Sequence, residues 1–258
     1  MKSVVFIGAG NIATSLAFAF KNAGWNIVQV YSRTVSSASH LASMVGAAPV
    51  VGFDDIATSA DVYIIAIPDQ SIPDVLDGLK KVSGVVVHTS GSTPMEVLSE
   101  VGTGKYGVFY PFQTFSRSKR VDLSDVPIFV EANTNNVLNF LVETGNELSN
   151  RVSVLTSENR VWLHVAGVFA GNFTNHILAL TYKLAVEHGI AFNVVEPLVE
   201  ETVKKAFTGN PKDFQTGPAI RNDHSTVRLH STLLNDFDEQ LQKIYNELSL
   251  SIQKFSKQ

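Results

Sequence analysis

The segment VVFIGAGNIATSLAFAF, residues 4–20, has two readings that lead to different proteins. With Lys2 just before it, the run of apolar residues and the small residues around AFA resemble a secretory leader. A leader needs about 7–15 unbroken apolar residues before its cleavage site. Here the run meets Gly8 and Gly10 at once and stops at Asn11; beyond it Ile12, Leu16, Ala17, Phe20 and Ala23 recur at helical spacing. The stretch reads as a strand, a tight glycine turn and an amphipathic helix. Elsewhere no run approaches the roughly 18 consecutive apolar residues of a membrane span. The expectation is a soluble, cytoplasmic protein with no membrane partner.

Composition narrows the chemistry. The 258 residues suit one large domain or two modest ones, and 45% hydrophobic against 17% charged residues excludes general disorder. A net charge of -4 with scattered Lys and Arg gives no nucleic-acid footprint. The absence of cysteine removes disulfides, thiolate catalysis and Cys-ligated metal centres. No His/Asp/Glu cluster has metal spacing and no G-x-S-x-G occurs, so metallohydrolase and serine hydrolase readings fall away.

Around and beyond the glycine turn, strand and helix alternate up to about residue 155. Strands are predicted at SVVFIG (3–8), NIVQVYS (26–32), VYIIAI (62–67), GVVVHT (84–89), YGVFY (106–110), PIFVE (127–131) and RVSVL (151–155). Continuous Val/Ile runs mark strands buried on both faces of a parallel sheet. Helix starts are predicted at TPME, with Thr93 as cap and Pro94 at the first helical position, and at SIPD from Ser71. The pattern predicts a doubly wound α/β sheet. From Glu158 to about Gly189 strand signal and proline vanish, and a long, mostly apolar helix is expected. A second follows from Val194 to Phe207, then the turn TGPAIRND and further helix. The expected division is an α/β dinucleotide-binding domain at 1–156 and an all-α domain at 157–258, with substrate in the cleft between them.

GAGNIA places Gly8, Gly10 and Ala13 at G-x-G-x-x-A spacing, behind a strand and opening a helix. Gly8 permits the turn, Gly10 lets backbone approach a pyrophosphate, and Ala13 lets the helix lie close on the sheet. Asn11 and Ile12, the first helical residues, join them as cofactor-contacting candidates, because a helix N-terminus offers free N–H groups to phosphate. The other reading is a glycine turn that binds nothing. About 20 residues on, where an NAD site carries an acid for the ribose 2′-hydroxyl, this chain has Tyr31, Ser32, Arg33 and Thr34. Two hydroxyls and a guanidinium suit a 2′-phosphate, so NADP is the expected cofactor; an exposed arginine at a helix start is the alternative.

Two further strand ends face the same edge: AIPDQSI, offering Ile67 and Pro68, and VHTSGS, offering Thr89 and Ser90. Ser and Thr there are equally read as turn formers. The motifs IGAGNIA, YSRT, VHTSGS, YGVFYPFQTFS, VFAGNFTNHILAL and QTGPAIRND, in this order, resemble the Rossmann-like proteins with a C-terminal DUF2520 domain. That group is related more distantly to pyrroline-5-carboxylate reductases and F420-dependent NADP oxidoreductases. The resemblance spans essentially the whole chain, with YPFQTFS and TGPAIRND its distinctive parts. It implies an NADP-binding Rossmann domain, a helical dimerisation domain, hence a homodimer, and reductase activity on a small molecule.

Hydride transfer needs a proton donor or polarising group beside the reacting carbonyl or imine. In WLHVAGVFAGNFTNHI, His164 and Asn172 are about 80° apart on one broad helix face, and His176 lies one turn beyond Asn172. Related β-hydroxyacid dehydrogenases carry a lysine four residues before such an asparagine; here that position is Val168. His164 reads as proton donor or as a hydrogen-bonded core histidine. Asn172, an amide on an apolar helix, needs partners and is the stronger candidate. Gly167 and Gly171 are read as close-packing positions. Ser90 completes the expected catalytic set. Arg221 and Asp223 read as a carboxylate anchor with its orienting acid, or as a structural salt bridge, and His230 follows them. A dinucleotide sensor without turnover, or hydride exchange with a deazaflavin, are the competing functions.

Overall fold

The computed structural model describes residues 1–116 and 121–255. The chain divides into two compact units, Met1–Asn172 and Phe173–Gln258.

The first unit is built on an eight-stranded sheet of order β3-β2-β1-β4-β5-β6-β7-β8. Its strands are β1 (Ser3–Ile7), β2 (Asn26–Tyr31), β3 (Ala48–Val50), β4 (Val62–Ile65), β5 (Val85–His88), β6 (Tyr106–Pro111), β7 (Ile128–Ala132) and β8 (Val152–Val154). Every pairing is parallel except β6 with β7. The chain runs β1-β2-β3 to one side and resumes at β4 on the other side of β1, so the order reverses between β1 and β4. A crevice opens outside the carboxyl ends of strands at such a reversal. β4 and β5 are buried along their full length, as continuous apolar runs require.

Helices α1 (Asn11–Asn22), α2 (Val35–Val45), α3 (Ile72–Val75) and α4 (Asn135–Asn146) return the chain between strands. The α1 stripe Ala13, Leu16, Ala17 and Phe20 is fully buried, with the Phe20 ring edge-on to Phe6 and Trp25. The segment that resembles a leader is thus an inner strand of the sheet and its first covering helix. Two predicted starts differ from the structure. No α-helix forms at TPME: Thr93 accepts from its neighbour Ser90 rather than capping, and a 3-10 turn, Met95–Leu98, begins after an extended Pro94. SIPD yields a single turn, α3. The short strand β3 carries too few residues for a period to register and was not predicted.

The long helix of the sequence reading comprises α5 (Ser157–Gly167), a π-helical segment Val168–Phe173, and α6 (Thr174–Glu187). In the second unit α7 (Glu196–Ala206), α8 (His224–Phe237) and α9 (Glu239–Phe255) follow. Asp238 breaks the chain between α8 and α9 with an extended backbone and accepts hydrogen bonds from the Gln240 and Leu241 amides. No helix of the described residues is long and apolar enough to cross a membrane.

Candidate active site

The crevice is built around two glycines. Gly8 follows β1 at φ 120°, and a Cβ there would lie 2.2 Å from the Ala66 carbonyl oxygen beyond β4. Only glycine satisfies both constraints. A Cβ on Gly10 would meet nothing within 4 Å, because it would project into open space. Gly10 is also the N-cap of α1, with no side chain capping the helix and no acid in its first turn. The free amides of that turn and the positive end of the helix therefore suit a diphosphate. The Asn11 side chain is engaged elsewhere. Its Nδ2 donates to the Phe115 carbonyl at 2.9 Å, tying the glycine turn to the segment after β6.

From Gly8 and Gly10 a cavity of about 320 Å³ runs along the end of β2, lined by Tyr31, Ser32, Arg33, Ser37, Phe53 and, beyond β4, Ile67 and Pro68. Tyr31 stacks on Phe53, centroids 4.8 Å apart at 22°, and the pair forms a flat wall. Burial raises the Tyr31 phenol pKa against the opposing Arg33 charge. A planar base beside this wall and a phosphate beside Arg33 and two serine hydroxyls fit these residues. Thr34 does not line the cavity. Its hydroxyl caps α2 by accepting from the Ser37 amide, and Ser37, which sequence reading missed, supplies the hydroxyl expected of Thr34. The capping spacing Thr34–Ser37 was the available signal.

A second cavity, about 540 Å³, shares Gly10, Ala66, Ile67 and Pro68 with the first and adds Asn11, Ile12, Asp69, Thr89, Gln113, Thr114, Phe115 and Asn172. A third, about 370 Å³, shares Gln113, Thr114 and Asn172 with the second and is closed by Tyr110, Phe112, His164 and Gly171. The three form one trough from Arg33 to His164, and Asn172 stands where its last two sections meet. The π-helical segment places it there; such segments, one residue wider per turn, recur at functional sites. The flanking glycines serve packing as expected: a Cβ on Gly167 would lie 2.6 Å from the Phe112 ring, and one on Gly171 3.3 Å from Thr114.

At the closed end the Tyr110 hydroxyl meets His164 Nδ1 at 3.1 Å. Tyr110 is buried, which pushes its pKa up, with the Arg160 charge opposing and Asp69 adding to the rise. Arg160, one turn before His164, is fully buried. It donates to Glu131 at 2.6 Å, to the Thr93 carbonyl at 2.5 Å and to Ser157 Oγ at 3.0 Å, while Glu131 also accepts from the Ser157 amide and hydroxyl. This network clamps the start of α5 to β7 and to the loop after β5. His88, buried at the end of β5, is held neutral at pH 7, its pKa lowered to about 4 by burial and then by Arg160.

Several predicted site residues have other roles. Ser90 is buried; its Oγ accepts from the Ser92 and Thr93 amides and donates to Thr93 Oγ1, so it holds the loop and lines no part of the trough. Asp223 caps α8, accepting from the Thr226 amide and from the Ser225 and Thr226 hydroxyls, and this lowers its pKa to about 2. The structural alternative foreseen for it was a salt bridge; the observed role is a cap. Arg221 is exposed and makes neither hydrogen bond nor ion pair among the described residues. His230 Nδ1 lies 3.0 Å from the Tyr245 hydroxyl inside the second unit, and His176 is exposed. The residues missed by sequence reading are Tyr110, Gln113 and Thr114 of YPFQT, together with Ser37 and Phe53.

Residues 3–90 match the family described as NADP oxidoreductase coenzyme F420-dependent, and residues 126–252 match a domain of unknown function, DUF2520. The chain is similar to a candidate NADP oxidoreductase from Bacteroides fragilis, with 42% identity over 98% of each chain and a TM-score of 0.93. The fold recurs in an imine reductase from Myxococcus stipitatus solved with NADP+, 14% identical over 99% of this chain and 93% of that one, TM-score 0.67. It recurs again in a pyrroline-5-carboxylate reductase from Coxiella burnetii, 16% identical over 96% and 97%, TM-score 0.57. No curated protein matches the sequence.

Proposed function

The chain belongs to the NADP oxidoreductases that carry a DUF2520 domain, and from that premise we propose that it transfers a hydride between NADP(H) and a small carbonyl, hydroxyl or imine compound. One observation carries the reading: Asn172 lines both the cavity that begins at the glycine turn and the cavity that ends at His164. A polar amide at that junction would be within reach of a cofactor held in the first cavity and of a substrate in the second.

When bound, NADPH supplies the hydride. The free amides at the start of α1 would hold its diphosphate, and Ser32, Arg33 and Ser37 would hold the 2′-phosphate. Asn172 donates a hydrogen bond to the substrate oxygen or nitrogen, where negative charge grows as the hydride arrives. His164 gives that atom its proton, or takes it in the oxidative direction. We further assign a homodimer formed through the helical unit, and the cytoplasm as its compartment.

The test is a panel of aldehydes, ketones, cyclic imines and their reduced forms, followed by NADPH absorbance. Asn172→Ala is expected to bind NADPH normally and to lose on the order of 100-fold in kcat, as other removed donors do. Wild-type turnover in that variant would take Asn172 out of the mechanism. Tight NADPH binding with no turnover on the whole panel would overturn the enzyme reading in favour of a sensor.

A further inference from the structure

Within the cleft read above as the reductase site, His164 is not an isolated imidazole. Its Nδ1 faces the Tyr110 hydroxyl at 3.1 Å, whereas its Nε2 has no protein partner among the described residues. Tyr110 sits near the end of β6 with 8% exposure, and among the described residues His164 is the one hydrogen-bond partner of its hydroxyl. A phenol has a single O–H donor, and a buried donor is used. The acceptor within reach is Nδ1, which accepts only when it carries no proton. The bond made by one imidazole nitrogen decides which of the two is protonated.

We infer that Tyr110 is a positioning residue that locks neutral His164 as its Nε2–H tautomer, leaving that N–H to serve the substrate. In the reductive direction the hydride forms the new C–H bond, and the carbon–heteroatom π pair withdraws onto oxygen or nitrogen. That atom takes the Nε2 proton while Nδ1 takes the Tyr110 proton; Nδ1 then returns its proton to the phenolate as Nε2 takes one from water, which restores the resting tautomer. No further oxidant or reductant enters. The Arg160 guanidinium faces Tyr110 and favours the transient phenolate, while Asp69 opposes it. Burial raises the phenol pKa and so keeps Tyr110 protonated in the resting site.

The loop after β5 is shaped for this pair. A Cβ on Gly91 would fall 2.4 Å from His164 Nδ1 and 2.9 Å from the Tyr110 oxygen. Contacts below about 3 Å force something to move, so the glycine of VHTSGS clears the space in which the bond forms. The contribution of that loop is the side chain it lacks at Gly91 rather than the hydroxyl of Ser90.

The decisive measurement is nitrogen NMR of histidine-labelled protein at about pH 8, above the ordinary imidazole range, with His164 assigned through a His164→Gln variant. Wild type is expected to show a single tautomer protonated on Nε2. Tyr110→Phe keeps the ring and its edge-on packing against Phe112 and His164 but removes the hydroxyl; its His164 is expected to become a mixture of tautomers. Gly91→Ala reaches the same end by wedging the pair apart, which covers the case in which Tyr110→Phe fails to fold. With NADPH and a cyclic imine or aliphatic ketone as probe, Tyr110→Phe is expected to lose about tenfold or more in kcat with KM little changed. An Nδ1–H tautomer in the wild type, or variants with wild-type nitrogen shifts, would overturn the inference. If no probe is turned over, the reductase reading fails while the tautomer measurement still decides this one.

Discussion

Arg33 occupies the place in the β2 end where an acid would select NAD. Arginine offers a fixed fork of donors to a phosphate, and Ser32 and Ser37 line the same cavity. NADPH is expected to bind at least tenfold more tightly than NADH, about 1.4 kcal/mol. Arg33→Ala should erase most of that preference and leave NADH affinity nearly unchanged. Fluorescence titration with both cofactors checks this, and equal affinities in the wild type would remove Arg33 from its role. Thr34, its neighbour, caps α2, so Thr34→Ala belongs to helix stability rather than to cofactor choice.

Among the secondary-structure elements, α5 acts as the rail that carries His164 and, through the π-helical segment, Asn172. Its start is fixed by the Arg160–Glu131 pair, which joins α5 to β7 with an arginine side chain wholly out of water. Removing one partner of such a pair strands a buried charge, at about 3–5 kcal/mol. Glu131→Gln keeps the shape but not the charge. It is expected to lower the unfolding free energy from denaturant titration by an amount in that range or just below it, because the amide still accepts one hydrogen bond. An unfolding free energy within about 0.5 kcal/mol of wild type, the level of an ordinary surface substitution, would mean that the pair is not what holds the helix.

Across the molecule, the second unit leaves a large amount of apolar surface in water. Leu198 is 68% exposed, Phe207 88%, and Leu229 and Leu233 each 59%. Large apolar side chains left in water mark an association surface, and closed twofold symmetry is the commonest way to cover them. Light scattering at micromolar concentration is expected to give twice the chain mass, and Leu198→Glu with Phe207→Glu is expected to weaken the association. A particle of single-chain mass in the wild type would refute the dimer.

The elements legible before folding are those whose signals are local. Val/Ile runs marked β1, β4 and β5, because a strand buried on both faces must be apolar at every position. The requirement for glycine at Gly8 was legible because a turn at positive φ closing against a neighbouring strand excludes any Cβ. The place of Arg33 at the cavity beside the glycine turn was legible through a residue type out of place at a known spacing. Tyr110 was not: in YGVFYPFQ it is one more aromatic of a buried strand, and its partner lies 54 residues away. Nor did Ser90 or Asp223 announce that their oxygens serve their own turns, since a loop hydroxyl or carboxylate has the same spelling whether it faces a ligand or a backbone amide. The π-helical widening that presents Asn172 has no composition of its own. Periodicity records which residues leave water, one position at a time. Hydrogen-bond partners are chosen among groups that meet only when distant segments pack, so they are settled by the folded chain and not by the order of its residues.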